Sequence, residues 1–197
     1  MKAHQRIIFN GNGYTDEWIA EANRRGLPNL GSMVDAIPEL TRPESVAMFE
    51  RHGVYTAKEL QARADVSFEL YAKTINIEAL TMIDMVGKDI IPAVIRYTKE
   101  LAESAQAVEA LGADASVQRE LLGRVTVLLR QTNAALADLK AKQTRASGLT
   151  GEKQARVYHD EVSTAMRLLR APVDHLEMIV DGSMWPLPTY GELLFNV

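Results

Sequence analysis

The sequence predicts an all-α chain, in which a short N-terminal turn region and helices lead into an elongated antiparallel three-helix coiled-coil bundle. Three observations predict it. Apolar residues recur at three- and four-residue steps through three long stretches, helix-start signatures precede the first of them, and short glycine-containing breaks separate one stretch from the next.

The chain opens on an apolar, β-prone run, Ile7 to Phe9, which reads as a strand or an extended arrival. Asn10-Gly11-Asn12-Gly13 then favours a turn, because Asn and Gly tolerate the left-handed region. Thr15 is placed to cap a short helix through Arg25, with Asp16 and Glu17 suiting its positive N-terminus and Gly26 ending it. Pro28, Gly31 and Pro38 make the stretch from Leu27 to Leu40 a connector with at most a short helical turn around Asp35.

Thr41-Arg42-Pro43-Glu44 and Thr56-Ala57-Lys58-Glu59 both read as capping boxes, in which a Thr and a Glu three residues on satisfy each other's backbone donors. The helix begun at the first ends at His52-Gly53. The helix begun at Ala57 meets no strong stop before Gly112 and would reach about 80 Å at 1.5 Å per residue. Pro92 is positioned to kink it and Gly87 to weaken it.

In its second half Ile83, Val86, Ile90, Val94, Tyr97, Leu101, Val108 and Leu111 form a packing seam. A second seam runs through Val117, Leu121, Val125, Leu128, Thr132, Ala135 and Leu139 to a stop near Ser147-Gly148. A third runs through Tyr158, Val162, Ala165, Leu169, Val173, Leu176 and Val180, with Pro172 as a bend and Gly182 as its end. Short connections force neighbouring helices to be antiparallel, so the three seams run up, down and up.

Beyond Ser183, the residues Trp185, Pro186, Pro188, Tyr190, Leu193, Leu194 and Phe195 carry too much apolar surface for a frayed end and too many prolines for a helix start. They predict a docking tail.

Bulk properties exclude several function classes. A net charge of -4 over 197 residues leaves no cationic excess for a phosphate backbone, which argues against nucleic-acid binding. Charges interrupt every apolar run short of a membrane span. With no Cys, disulfides and thiolate metal sites are excluded, which suits a reducing, cytoplasmic setting.

Chemistry-bearing motifs are sparse. Gly11-Asn12-Gly13 invites a phosphate-loop reading, but Asp16 stands where a dinucleotide fingerprint needs its third glycine, so a structural turn is expected. Phe49, Arg156 and Pro172 stand three residues before His52, His159 and His175, so the Glu-x-x-His pairs of dimetal bundles are missing. His159-Asp160-Glu161 reads as a solvated helix face. No Gly-x-Ser-x-Gly elbow offers a nucleophile.

The stretch from Thr74 to Ile91 is apolar on nearly every side except a strip of Thr74, Glu78, Thr81 and Lys88, with Asp84 at its margin, and so predicts a helix buried on more than one side. The structural expectation for Glu78 and Asp84 is pairing with Lys88, Thr81 or neighbouring backbone. The functional alternative is a ligand or catalytic pocket between helices built on these two carboxylates.

Several segments together resemble the C-terminal region of type III glutamine synthetases. They are Arg6-Ile-Ile-Phe-Asn-Gly-Asn-Gly-Tyr-Thr-Asp-Glu-Trp18, Arg25-Gly-Leu27, Phe49-Glu-Arg-His-Gly-Val54, Lys73-Thr-Ile-Asn-Ile-Glu-Ala-Leu-Thr-Met-Ile-Asp-Met85 and Trp185-Pro-Leu-Pro-Thr-Tyr-Gly-Glu-Leu-Leu-Phe195. The resemblance covers essentially the whole chain in order, with residues 100–171 its least specific part.

It implies a parent enzyme that joins glutamate and ammonia using ATP and a divalent metal, Mg or Mn, in ring-shaped oligomers whose motifs lie upstream. No catalytic, cofactor-binding or metal-binding residue transfers to this chain. The implied organisation is a tail end of the catalytic domain with exit helices (1–75), a long-helix bundle (76–182) and a docking tail (183–197). The expected partners are the upstream catalytic domain and neighbouring subunits of a homo-oligomer, with neither nucleic acid nor membrane. The rival expectation is a free-standing coiled-coil adaptor that binds a partner protein.

Overall fold

The computed structural model describes residue 5, residues 7–188 and residues 190–195. All regular structure among them is helical, and the chain divides into two compact units, Met1–Ser67 and Phe68–Val197, with the division inside one long helix.

In the first unit Ile7 sits in a short 3-10 turn, so the strand reading of residues 7–9 is corrected. No other strand among the described residues is present to pair with it. Helix α1 (Asp16–Arg24) starts after Thr15, whose hydroxyl donates to the carbonyl of Asn12 at 3.0 Å. Gly26 ends it at φ 68°, with Leu27 N–H donating to Ala22 O and Gly26 N–H to Asn23 O, the paired bonds of a Schellman cap.

The connector holds α2 (Met33–Ala36), capped by Ser32 accepting from Asp35 N–H, and a 3-10 turn over Ile37–Thr41. That turn changes the expected start of α3 (Pro43–Arg51). Thr41 donates backward to Pro38 O at 3.1 Å, and Arg42 becomes the N-cap with Pro43 at the first helical position, so the Thr41–Glu44 box does not form. The Thr56–Glu59 box does form: Thr56 N–H reaches Glu59 Oε2 at 2.8 Å and Glu59 N–H reaches Thr56 Oγ1 at 3.3 Å.

Helix α4 (Ala57–Met85) leads into a π-helical turn, Val86–Ile90, and then α5 (Ile91–Ala110). The wide turn stands where Pro92 requires it. A proline at 92 cannot donate to the carbonyl of Lys88 and its ring would crowd that carbonyl, and the turn relieves this with Ile91 N–H bonding Val86 O five residues back. The expected weakness near Gly87 and Pro92 thus takes the form of a π turn.

Helix α6 (Ser116–Ser147) packs along α5 and along α8 (Ser163–Glu177), which follows α7 (Gly151–Val157) and a second π turn, Tyr158–Val162. Pro172 lies inside α8, and the irregularity of this span sits at 158–162 instead. α8 also ends at Glu177, ahead of Gly182.

The three spans of this second unit share one core. Val86, Ile90, Val94 and Leu101 of the first span, Val125, Leu136 and Leu139 of α6, and Tyr158, Val162, Leu169 and Leu176 of the third are all buried. The seam frays at its ends, where Leu111 and Val117 are exposed. Trp185 is buried in the same core, so this part of the tail docks on its own bundle. A short α9 (Tyr190–Phe195) follows Pro188, correcting the expectation that the prolines preclude a helix start.

Candidate functional site

The strip of polar groups on α4 does not converge. Lys88 pairs with Asp84 one helical turn away, both exposed, and this contact holds the ammonium above its ordinary range. Thr81 donates to Ile77 O at 2.9 Å. Glu78 lines a groove of the second unit that Asp84 does not reach, so the two carboxylates form no shared pocket. Both Ile77 and Leu80 are exposed, which gives the stretch an uncovered apolar side.

The remaining sequence candidates resolve structurally. Asn12 Oδ1 accepts from Tyr14 N–H at 3.0 Å, so the Gly11–Gly13 stretch is a local turn. His52 is the C-cap of α3. His159 Nδ1 lies 2.7 Å from Asp160 Oδ1, with its ring 6.3 Å from that of Tyr71. Burial lifts the Tyr71 phenol above its ordinary range, and a hydrogen bond with Ser163 opposes the shift.

Two features escaped the sequence reading. The first is a half-buried polar knot across the three spans: Asn76 Oδ1 accepts from Tyr158 Oη and from Gln143 Nε2, each at 2.8 Å. The second π turn serves it. Widening the helix at 158–162 places Tyr158 inside the core, and Ser163 satisfies the displaced Tyr158 carbonyl through both its N–H and its hydroxyl. A polar Asn inside the apolar run from Thr74 to Ile91 was the available signal.

The second is a groove of about 540 Å³ between α4, the first π turn, α8 and the tail. Its apolar surface includes Met82, Met85, Met166 and Trp185, and its polar groups are Glu78, Thr81, Arg170, Asp174 and Glu177. Arg170 and Asp174 pair at 3.2 Å. The Trp185 Nε1–H is buried and finds no acceptor among the described residues. This arrangement can hold an apolar body, and the Thr81 hydroxyl on it is already committed to Ile77 O.

Among the described residues no three His, Asp or Glu side chains stand close enough to hold a metal ion. No helix among them is long and apolar enough to cross a membrane.

Comparison with known proteins places this architecture. The family described as the glutamine synthetase C-terminal domain matches residues 1–109. The chain is 36% identical over 200 residues to a glutamine synthetase of Butyrivibrio fibrisolvens, a match covering 100% of this chain and 29% of that protein. It is 31% identical over 202 residues to the type-3 glutamine synthetase of Dictyostelium discoideum, covering 98% and 27%. It is 30% identical over 204 residues to a glutamine synthetase of Bacteroides fragilis, covering 98% and 28%. The chain therefore spans under a third of the length of these curated relatives.

Proposed function

This chain belongs to the glutamine synthetase C-terminal domain family, and from that premise we propose that it is the helical C-terminal part of a type III enzyme, with a structural and oligomer-organising role. The rest of the polypeptide ligates ammonia to glutamate, using ATP and a divalent metal, Mg or Mn. Residues 1–75 close the catalytic body, 76–182 form the bundle and 183–197 the tail. The absence of Cys suits a cytoplasmic enzyme.

The observation that carries this reading is an uncovered apolar face on α4. Leu70, Ile77 and Leu80 lie seven and three residues apart, on one side of the helix, and are 59%, 65% and 46% exposed. Ala72 and Ala79, between them in sequence, face the core. A cluster of this kind favours a protein contact over open water, and we assign it to the catalytic body or a neighbouring subunit. The relatives carry the matched region within much longer proteins, which favours this role over that of a free-standing adaptor.

Deleting residues 93–183 from the parent enzyme and rejoining the ends tests the role through oligomer size and biosynthetic activity. The expected outcome is a smaller assembly with reduced activity, and a truncated protein of unchanged size rejects the organising role.

A further inference from the structure

We infer that Asn10-Gly11 is a self-modifying site, at which the Gly11 backbone nitrogen attacks the Asn10 side-chain amide and converts residue 10 to a carboxylate, while the neighbouring Asn12-Gly13 is held back. The reaction lies within the chain and does not depend on the assembly role proposed above.

The step balances with water as its one co-reactant. Gly11 N forms a bond to Asn10 Cγ, the bond from Cγ to Nδ2 breaks, and the side-chain nitrogen leaves as ammonia with the proton of the Gly11 N–H. Water then opens the five-membered imide at either carbonyl, which leaves aspartate or isoaspartate at position 10. Nothing is oxidised or reduced. Glycine in the following position favours ring closure, because it has no Cβ to obstruct the approach of its nitrogen.

Sequence alone gives Asn10 and Asn12 the same glycine neighbour, and local structure separates them. Asn10 is exposed and lies outside any helix. Among the described residues neither its side chain, nor its carbonyl, nor the Gly11 N–H has a hydrogen-bond partner, so the peptide can turn toward Cγ without breaking a contact. Asn12 is tied at both ends. Its Oδ1 accepts from Tyr14 N–H at 3.0 Å, and its carbonyl accepts from the Thr15 N–H at 3.4 Å and the Thr15 hydroxyl at 3.0 Å. These bonds must loosen before the Gly13 nitrogen can reach Asn12 Cγ.

Two further features belong to the site. A Cβ at position 11 would lie 2.6 Å from Phe9 Cζ, and the Phe9 ring packs on Trp18 with centroids 4.6 Å apart, so a larger residue at 11 would push that ring from its place. Asn10 also lines a surface groove with Arg24 and Arg25, two guanidiniums that share the one carboxylate of Glu21. Their positive charge favours the oxyanion that develops on Asn10 Oδ1 during the attack, and afterwards the new carboxylate.

Incubating the chain in mildly alkaline buffer and following both positions over time by tandem mass spectrometry tests the assignment. Isoaspartate and aspartate should both accumulate at position 10, about tenfold faster than at position 12, because each bond that must break first adds to the barrier. Thr15→Val removes the hydroxyl donated to Asn12 O but keeps the N–H, and should raise the rate at position 12 about threefold with position 10 unchanged. Absence of product at position 10, aspartate there without isoaspartate, equal rates at the two positions, or an unaltered rate at position 12 in the Thr15 variant would each overturn the assignment.

Discussion

Asn76 and Tyr158, 82 residues apart, meet in the core of the second unit, where the phenol donates to Asn76 Oδ1 at 2.8 Å. Gln143 donates to the same oxygen, so one amide fixes the relative register of the three helical spans. A half-buried polar contact of this kind favours one alignment because a slipped alignment leaves the hydroxyl of the buried Tyr158 without its acceptor.

Breaking that contact from its two ends should give unequal results. Tyr158→Phe leaves Asn76 Oδ1 bonded to Gln143 and should cost about 1 kcal/mol. Asn76→Ala removes both bonds and leaves the hydroxyl of the buried Tyr158 without its acceptor, and should cost about 2 kcal/mol. Urea denaturation curves of the two variants, compared by midpoint, provide the measurement, and equal losses would show that the knot is not shared in this way.

Thr132 is fully buried on α6 and its hydroxyl has no partner among the described residues. Thr132→Val keeps the shape and removes the orphaned group, so it should raise stability by about 1 kcal/mol. A lower urea midpoint in this variant would mean that the hydroxyl is bonded in solution.

Leu169 is completely buried in α8. Leu169→Asp introduces an unpaired carboxyl and an unfilled volume, for an expected loss of about 4 kcal/mol, a large share of the stability of a typical domain. Its melting transition should fall steeply or disappear, and an unchanged transition would displace the third seam from the core.

Glu21 lies 2.6 Å from both Arg24 and Arg25, and the hydrogen bond from Arg24, followed by that from Arg25, lowers its carboxyl from 4.5 to about 2. A depressed folded-state value means that the contribution to stability is complete above about pH 4.5 and is lost as the pH falls toward 2. Glu21→Gln should remove this part of the acid dependence of α1. Trp18 emission, followed in a Trp185→Phe background while the pH is lowered, reads it out, and identical acid profiles for the two proteins would contradict it.

Much of this architecture was legible because it follows from periodicity. Tyr158, Val162, Ala165, Leu169 and Leu176 were placed on one face by spacing, and all five are buried. Glycine stops were equally readable: Gly26, Gly53 and Gly112 all adopt positive φ at helix ends. The competing signals at Thr41 were not, since its hydroxyl had two local backbone groups to choose from and the 3-10 turn at Pro38 decided between them.

The π turns and the groove were hidden for a different reason. Step patterns of three and four absorb one extra residue without showing a break, so Val86 and Ile90 read as ordinary seam positions. The groove depends on Trp185 folding back on α4 and α8, a tertiary contact with no local signature. The family resemblance supplied the context, but it could not indicate that Glu78 faces a different environment from Asp84.

The two π turns carry a consequence for how these helices tolerate length change. Each accommodates one residue more than a plain α-helical count, and α-helical residues advance by about 100° each. Deleting a single residue from 86–90 would let the helix close up regularly while leaving Val94, Leu101 and Ala105 in nearly their present directions, because the extra residue is what the wide turn absorbs. A one-residue deletion here should therefore be far easier to accept than one in the regular helix on either side.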